Sequence, residues 1–259
     1  MHPTMHVSRF LRAVAAAVLL NAAALPAQQS VLPASAQGRI LARRSPPAPA
    51  RPQITLVGLR ELSVDSGRAA LIYVPEGYRA DRPAPLVVML HGAGGNPRRV
   101  LNSVMPLADS VGVILLAPQS AGMTWDVIRG RYGPDVGFID RALAHVFARY
   151  AVDTMRLAIG GFSDGATYAL SLGITNGDLF THVIAFSPGF MVPAGQRGAP
   201  RLFVSHGTKD QVLSIDACSR RIVRQVRDSG YDVTYREFDG GHTVPPGIAR
   251  EALAWLAAG

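Results

Sequence analysis

The pentapeptide Gly161-Phe162-Ser163-Asp164-Gly165 has the form G-x-S-x-G and stands between an apolar run, Met155 to Ile159, and a helix-forming stretch from about Gly165. In a strand–turn–helix context this spacing makes a nucleophile elbow. The turn is so tight that side chains two residues either side of the serine would clash, and glycine at both places removes the clash. The helix N-terminus behind Ser163 favours negative charge as it develops. A serine nucleophile needs a base, and the base an acid that fixes its tautomer. Seven histidines are present. His2 and His6 fall near the N-terminus, His145 mid-helix, and His182 and His206 on or at the end of strands. His242, in G-G-H-T-V-P, lies on a loop beyond the last expected strand and is the candidate base. The favoured acid is Asp210 in S-H-G-T-K-D, just past an expected strand, with Asp216 and Asp239 as nearby rivals.

Acyl transfer also needs two backbone N–H donors aimed at the oxyanion. The segment His91-Gly92-Ala93-Gly94-Gly95 follows the apolar run Pro85 to Leu90, and its glycines let the backbone approach a substrate closely. The expected donors are the amides of Asp164, directly after the nucleophile, and of Ala93, with Gly92 as the neighbouring alternative. His91 is expected to hold its loop by a hydrogen bond. Met123, Trp125, Tyr132, Phe190, Met191 and Val244 are candidates for the substrate pocket, each equally readable as core packing. Asp126 and Asp135 flank an Arg-Gly-Arg segment and are expected to order it.

Positioning these groups takes a layered scaffold. Strands are expected at Ile54–Val64, Ala69–Val74, Pro85–Leu90, Val113–Leu116, Met155–Ile159, His182–Phe186, Arg201–Val204 and Asp232–Phe238. Helices are expected over Arg98–Ser110, Asp135–Tyr150, from Gly165, over Ile215–Asp228 and over Gly247–Ala257. Alternation of this kind predicts an α/β protein: a mostly parallel central sheet with helices on both faces, and chemistry on the loops leaving the C-terminal strand ends. Pro188 to Pro200 is too short for a large lid, so the site is expected to be open.

With H-G-A-G-G, G-F-S-D-G, H-G-T-K-D and G-G-H-T-V-P in place, residues 68–257 resemble the bacterial phospholipase/carboxylesterase-like group of the α/β-hydrolase superfamily. That group is related to dienelactone hydrolases and to feruloyl and polyester esterases. The chain order Ser163, Asp210, His242 matches that fold. Dienelactone hydrolases proper use cysteine, so Ser163 moves the resemblance toward the esterases. The resemblance implies a cofactor-free enzyme cleaving small-molecule carboxylic esters. A peptidase on the same scaffold would be expected to carry an added domain or a charged site for a chain terminus. A binding protein on this scaffold would be expected to have lost the serine or the histidine.

Composition limits the remaining classes. The formal charge is +8, but residues 1–53 hold six arginines and no acid, which leaves 20 basic and 18 acidic residues in 54–259. The domain's own net charge of +2 gives nucleic-acid binding no support. Arg9 and Arg12 precede an apolar run, Ala13 to Leu25, with small-residue cleavage sites ending at Ala27 or Ala36. This reads as a secretory signal over 1–27, followed by a Pro/Arg-rich linker over 28–53 and the catalytic domain over 54–259. The run falls short of the roughly 20 apolar residues that span a bilayer, so stable membrane insertion is not expected. Cys218 is the single cysteine, and no metal-spaced Cys/His cluster occurs.

Overall fold

A computed structural model describes residues 32–43, 56–65 and 67–258. The expected signal segment therefore lies outside the described residues. Strand β3 (Ala84–Leu90) is buried along its whole length, as required of a strand covered on both faces. Its neighbours complete an eight-stranded sheet: β1 (Gly58–Asp65), β2 (Arg68–Val74), β4 (Ile114–Pro118), β5 (Val152–Phe162), β6 (His182–Phe186), β7 (Arg201–Gly207) and β8 (Val233–Phe238). The spatial order is β1-β2-β4-β3-β5-β6-β7-β8. β2 pairs antiparallel with β1 and β4, and the remaining pairs are parallel.

Alternate residues of β3 feed two cores. Leu86, Val88 and Leu90 join helices α3 (Pro134–Phe147), α4 (Asp164–Thr175) and α5 (Ser219–Asp228). Val87 and Met89 join α1 (Pro97–Asn102), α2 (Met105–Val111) and α6 (Pro246–Ala258) on the other face. The fold is thus the mostly parallel, doubly covered sheet expected from the sequence.

Two expectations need correction. The helix expected over Arg98–Ser110 is two helices, α1 and α2, broken at Ser103–Val104. Pro106 is the cause: a continuous helix would need its missing N–H, and its ring would collide with the carbonyl four residues earlier. The segment 28–53, expected to be a linker, is packed over residues 32–43. A 3-10 turn at Ala34–Gln37 leads to Ile40, which is fully buried. Asn176 pairs with this backbone on both sides, accepting from Ile40 N–H at 2.9 Å and donating to the Gly38 carbonyl at 2.8 Å. Asp140 accepts the amides of Leu41 and Ala42. Arg39 makes a bidentate pair with Asp178 at 3.0 and 2.7 Å. The buried apolar side chain and the satisfied backbone turn what composition suggests is a tail into part of the domain.

The segment between β6 and β7 is held down rather than free to cover the site. Three hydroxyls spaced four residues apart on α4, Thr167, Ser171 and Thr175, accept the backbone amides of Gly189, Val192 and Ala194, each at 3.0 Å. Two of them also donate back into α4.

Candidate active site

Ser163 sits at the junction of β5 and α4 with φ 57° and ψ −120°. A non-glycine residue in that region costs of order 1–3 kcal/mol and persists only where its surroundings enforce it. The enforcing contacts are visible. Ser163 N–H donates to Phe186 O at 2.9 Å. A Cβ on Gly161 would stand 2.5 Å from the Gly165 carbonyl carbon, and a Cβ on Gly165 would stand 2.6 Å from His91 O. The elbow is therefore pressed against the end of β3, and both glycines are needed for that approach. Gly165→Ala is expected to destabilise the fold by about 1–3 kcal/mol, the usual cost of overpacking. A denaturant melt showing an unchanged midpoint would contradict this.

Two further loops converge on the serine. His242 Nε2 is 2.9 Å from Ser163 Oγ, and His242 Nδ1 is 2.6 Å from Asp210 Oδ2. Since a carboxylate only accepts, Nδ1 carries the ring proton and Nε2 is left to accept from the serine hydroxyl. The other carboxylate oxygen of Asp210 accepts the amides of Val212 and Leu213, both at 2.9 Å. Burial raises the pKa of Asp210. The Leu213 amide, the His242 ring and the Val212 amide outweigh it, so the carboxyl lies below its ordinary value.

The rivals for the acid are elsewhere. Asp239 is exposed and paired with Lys209, and Asp216 is exposed and paired with Arg220. The Asp210 and His242 loops are stitched together by Thr208 N–H to Phe238 O and Lys209 N–H to Gly240 O, each at 2.9 Å. Gly207 permits that approach, because a Cβ there would collide with the carbonyls of Gly240 and Gly241.

The loop after β3 abuts the elbow. A Cβ on Gly92 would lie 3.4 Å from Ser163 Cβ. Among the described residues, the amides of Ala93 and Asp164 have no acceptor. His91 Nε2 accepts from Ser120 N–H at 3.2 Å, which leaves its proton on Nδ1, 2.8 Å from Gly92 O. Burial lowers the pKa of His91. The ring thus holds its loop as a neutral group.

A cleft of about 400 Å³ opens beside these loops, with Gly92, Ala93, Asn96, Arg99, Val100, Phe162, His242 and Val244 in its lining. Phe162 stacks at a tilt on His242, ring centres 4.6 Å apart.

No family model matches the chain. Among curated proteins it is 30% identical over 159 residues to feruloyl esterase C of Emericella nidulans, covering 58% of each chain. The chain thus spans about three fifths of the length of the curated relatives it matches. Among solved structures it resembles a ferulic acid esterase from Anaeromyces mucronatus in complex with ferulic acid. The TM-score is 0.61 at 16% identity, covering 85% of this chain and 100% of that one. It also resembles esterase PE8, with a TM-score of 0.60 at 22% identity, covering 78% of this chain and 99% of that one.

The chain has the α/β-hydrolase fold.

In that fold the loops leaving the parallel strands can carry chemistry, and here Ser163, Asp210 and His242 stand on the loops after β5, β7 and β8, beside the loop after β3. The substrate-pocket candidates divide. Val244 lines the cleft. Trp125 does not: it is fully buried, stacked on Tyr168 at 5.2 Å, and its Nε1 donates to His91 O at 2.8 Å. Tyr132 is likewise buried, with its hydroxyl on Val192 O, and Met191 packs against the core. Met123 is 81% exposed and outside the cleft lining, as is the half-buried Phe190.

The loop carrying Trp125 instead supports the segment after β3 and the start of α4. Gly94 N–H donates to Met123 O at 2.7 Å, and the Thr124 hydroxyl donates to Asp164 Oδ2 at 2.5 Å. Asp135 orders that loop by accepting the amides of Ala121 and Asp126, while Asp126 accepts the amide of Asp135. Sequence reasoning passed over Phe162, Arg99 and Val100 as cleft residues. Phe162, the variable position of G-x-S-x-G, could have been found from its place beside the nucleophile. Arg99 and Val100 carry no local signal.

Proposed function

We propose that this chain is a serine hydrolase that cleaves carboxylic esters through an acyl-enzyme intermediate. The observation that carries the reading is the continuous line Ser163 Oγ, His242, Asp210, with contacts of 2.9 and 2.6 Å. His242 Nε2 takes the hydroxyl proton as Ser163 Oγ attacks the ester carbonyl, and Asp210 stabilises the imidazolium that forms. The oxyanion is received by the amides of Ala93 and Asp164. His242 then returns its proton to the departing alcohol. A water, deprotonated by the same ring, attacks the acyl-enzyme and releases the acid. The curated relatives named as feruloyl esterases support an ester substrate.

The cleft is open, and each buried methylene is worth only about 0.8 kcal/mol, so a long acyl chain gains little wall to bury against. Short acyl and aromatic-acid esters are therefore the expected substrates. On a series of p-nitrophenyl esters, kcat/KM should be higher from acetyl to hexanoyl than from lauroyl to palmitoyl; the reverse order rejects the proposed open pocket. Failure to hydrolyse any ester, with no labelling by a fluorophosphonate, rejects the reaction itself.

Export belongs to the same proposal. The packed residues 32–43 favour cleavage after Ala27, because cleavage after Ala36 would cut the turn Ala34–Gln37. Mass spectrometry of periplasmic or extracellular protein should find an N-terminus near Gln28. An intact Met1 on soluble cytoplasmic protein contradicts it.

A further inference from the structure

Asp210 has a second histidine beside it. His206, near the end of β7, is fully buried. Its Nε2 stands 2.8 Å from Leu213 O and 3.1 Å from Asp210 Oδ2, the same oxygen that meets His242. Neither the His206 nor the Asp210 side chain exposes any surface. Its Nδ1 is 2.6 Å from the hydroxyl of Ser219, the first residue of α5 and itself buried. Nε2 faces only acceptors, a carbonyl and a carboxylate, so a lone pair there would be repelled by two oxygens. The proton therefore belongs on Nε2, and Nδ1 accepts from the Ser219 hydroxyl. Burial pushes the pKa of His206 down, opposed by the Leu213 carbonyl and the Asp210 charge. The ring works as a neutral donor.

We propose that His206 is a positioning residue for the acid of the triad, its Nε2–H holding Leu213 and the Asp210 carboxylate so that Oδ2 stays on His242. The arrangement is closed. His206 fixes the carbonyl of Leu213, the amide of Leu213 fixes Asp210 Oδ1, and Ser219 fixes the tautomer of His206. With Oδ1 held by two amides and Oδ2 beside His206 Nε2, the Asp210 carboxylate is restrained in one orientation when His242 becomes charged. His206 touches no substrate and acts only through Asp210.

The inference rests on the proposed triad, so the test includes a control for that reading. Steady-state kinetics on p-nitrophenyl butyrate are compared for wild type, Ser163→Ala, His206→Leu, His206→Gln, Ser219→Ala and Asp210→Asn. His206→Leu and Ser219→Ala are also each combined with Asp210→Asn. His206→Leu should lower kcat by about 10- to 100-fold with little change in KM, within the range for groups sharing one hydrogen-bonded network. His206→Gln, which keeps an N–H in reach, should recover most of that loss.

The deciding comparison is the double variant. In the Asp210→Asn background, His206→Leu should cost no more than about 2-fold, the scatter expected of uncoupled sites, because the group it positions is already disabled. A merely structural histidine would cost the same factor in both backgrounds, and that result overturns the proposal. Equal damage from Leu and Gln overturns it as well. If His206→Leu does not fold, Ser219→Ala carries the test, with a smaller kcat loss that also vanishes in the Asp210→Asn background; no loss at all overturns it. Activity surviving in Ser163→Ala rejects the triad, whereas an inactive Ser163→Ala beside an unimpaired His206→Leu rejects this inference alone.

Discussion

Ser163→Ala is expected to lower kcat by about 10⁶-fold on any ester the wild type cleaves, the scale seen when the nucleophile of a triad is removed. Alanine leaves the elbow, the oxyanion amides and the His242–Asp210 pair in place, so substrate binding should change little. What disappears is the oxygen proposed to form the acyl bond. The same variant should lose covalent labelling by a fluorophosphonate while the wild type takes up one equivalent per chain. The backbone is left as it is. Ser163 is held at φ 57°, and alanine keeps that strain while dropping the contact of the hydroxyl with His242. Thermal stability should therefore shift far less than activity. Undiminished turnover or labelling in Ser163→Ala would place the nucleophile elsewhere.

Asp210→Asn is expected to cost about 10⁴-fold in kcat with KM nearly constant, as for the equivalent change in a well-studied serine protease. The amide is nearly isosteric with the carboxylate, and the Val212 and Leu213 amides can still donate to its oxygen. Its NH₂ group, however, would face Nδ1 of His242 as a donor. That reverses the ring's tautomer, puts the hydrogen on Nε2 and removes the acceptor Ser163 needs. The charge that stabilises the imidazolium is lost as well. Asp216→Asn and Asp239→Asn should stay within a few-fold of wild type, since both are exposed and paired with Arg220 and Lys209. Steady-state kinetics on the three variants, with circular dichroism to confirm folding, decide the matter. A crippled Asp239→Asn beside a near-normal Asp210→Asn would move the acid to the β8 loop.

Local rules make much of this protein legible from its sequence. The uninterrupted apolar run at Pro85 to Leu90 and the alternation of strand-length and helix-period segments imply a parallel sheet covered twice, because each element must bury its own apolar side. Gly161 and Gly165 flank the serine at the spacing a tight turn demands, and the pattern of expected strands set Ser163, Asp210 and His242 on the loops after β5, β7 and β8, at one end of the sheet. Those inferences need only near neighbours in sequence.

Tertiary structure decided whatever depends on a partner far along the chain. Trp125 is a large apolar residue in A-G-M-T-W-D, readable as pocket or as core, and it goes to the core because Tyr168 and the His91 carbonyl fill its surroundings. Residues 32–43 have the composition of a linker, yet Asn176, Asp140 and Asp178 pair with their backbone and with Arg39 from more than ninety residues away. His206 looks like an ordinary strand residue until the Asp210 loop folds back over it. In each case the side chain's own chemistry was plain from the sequence. Burial and hydrogen-bond partners, which fix what that chemistry is used for, exist only once distant segments have been brought together.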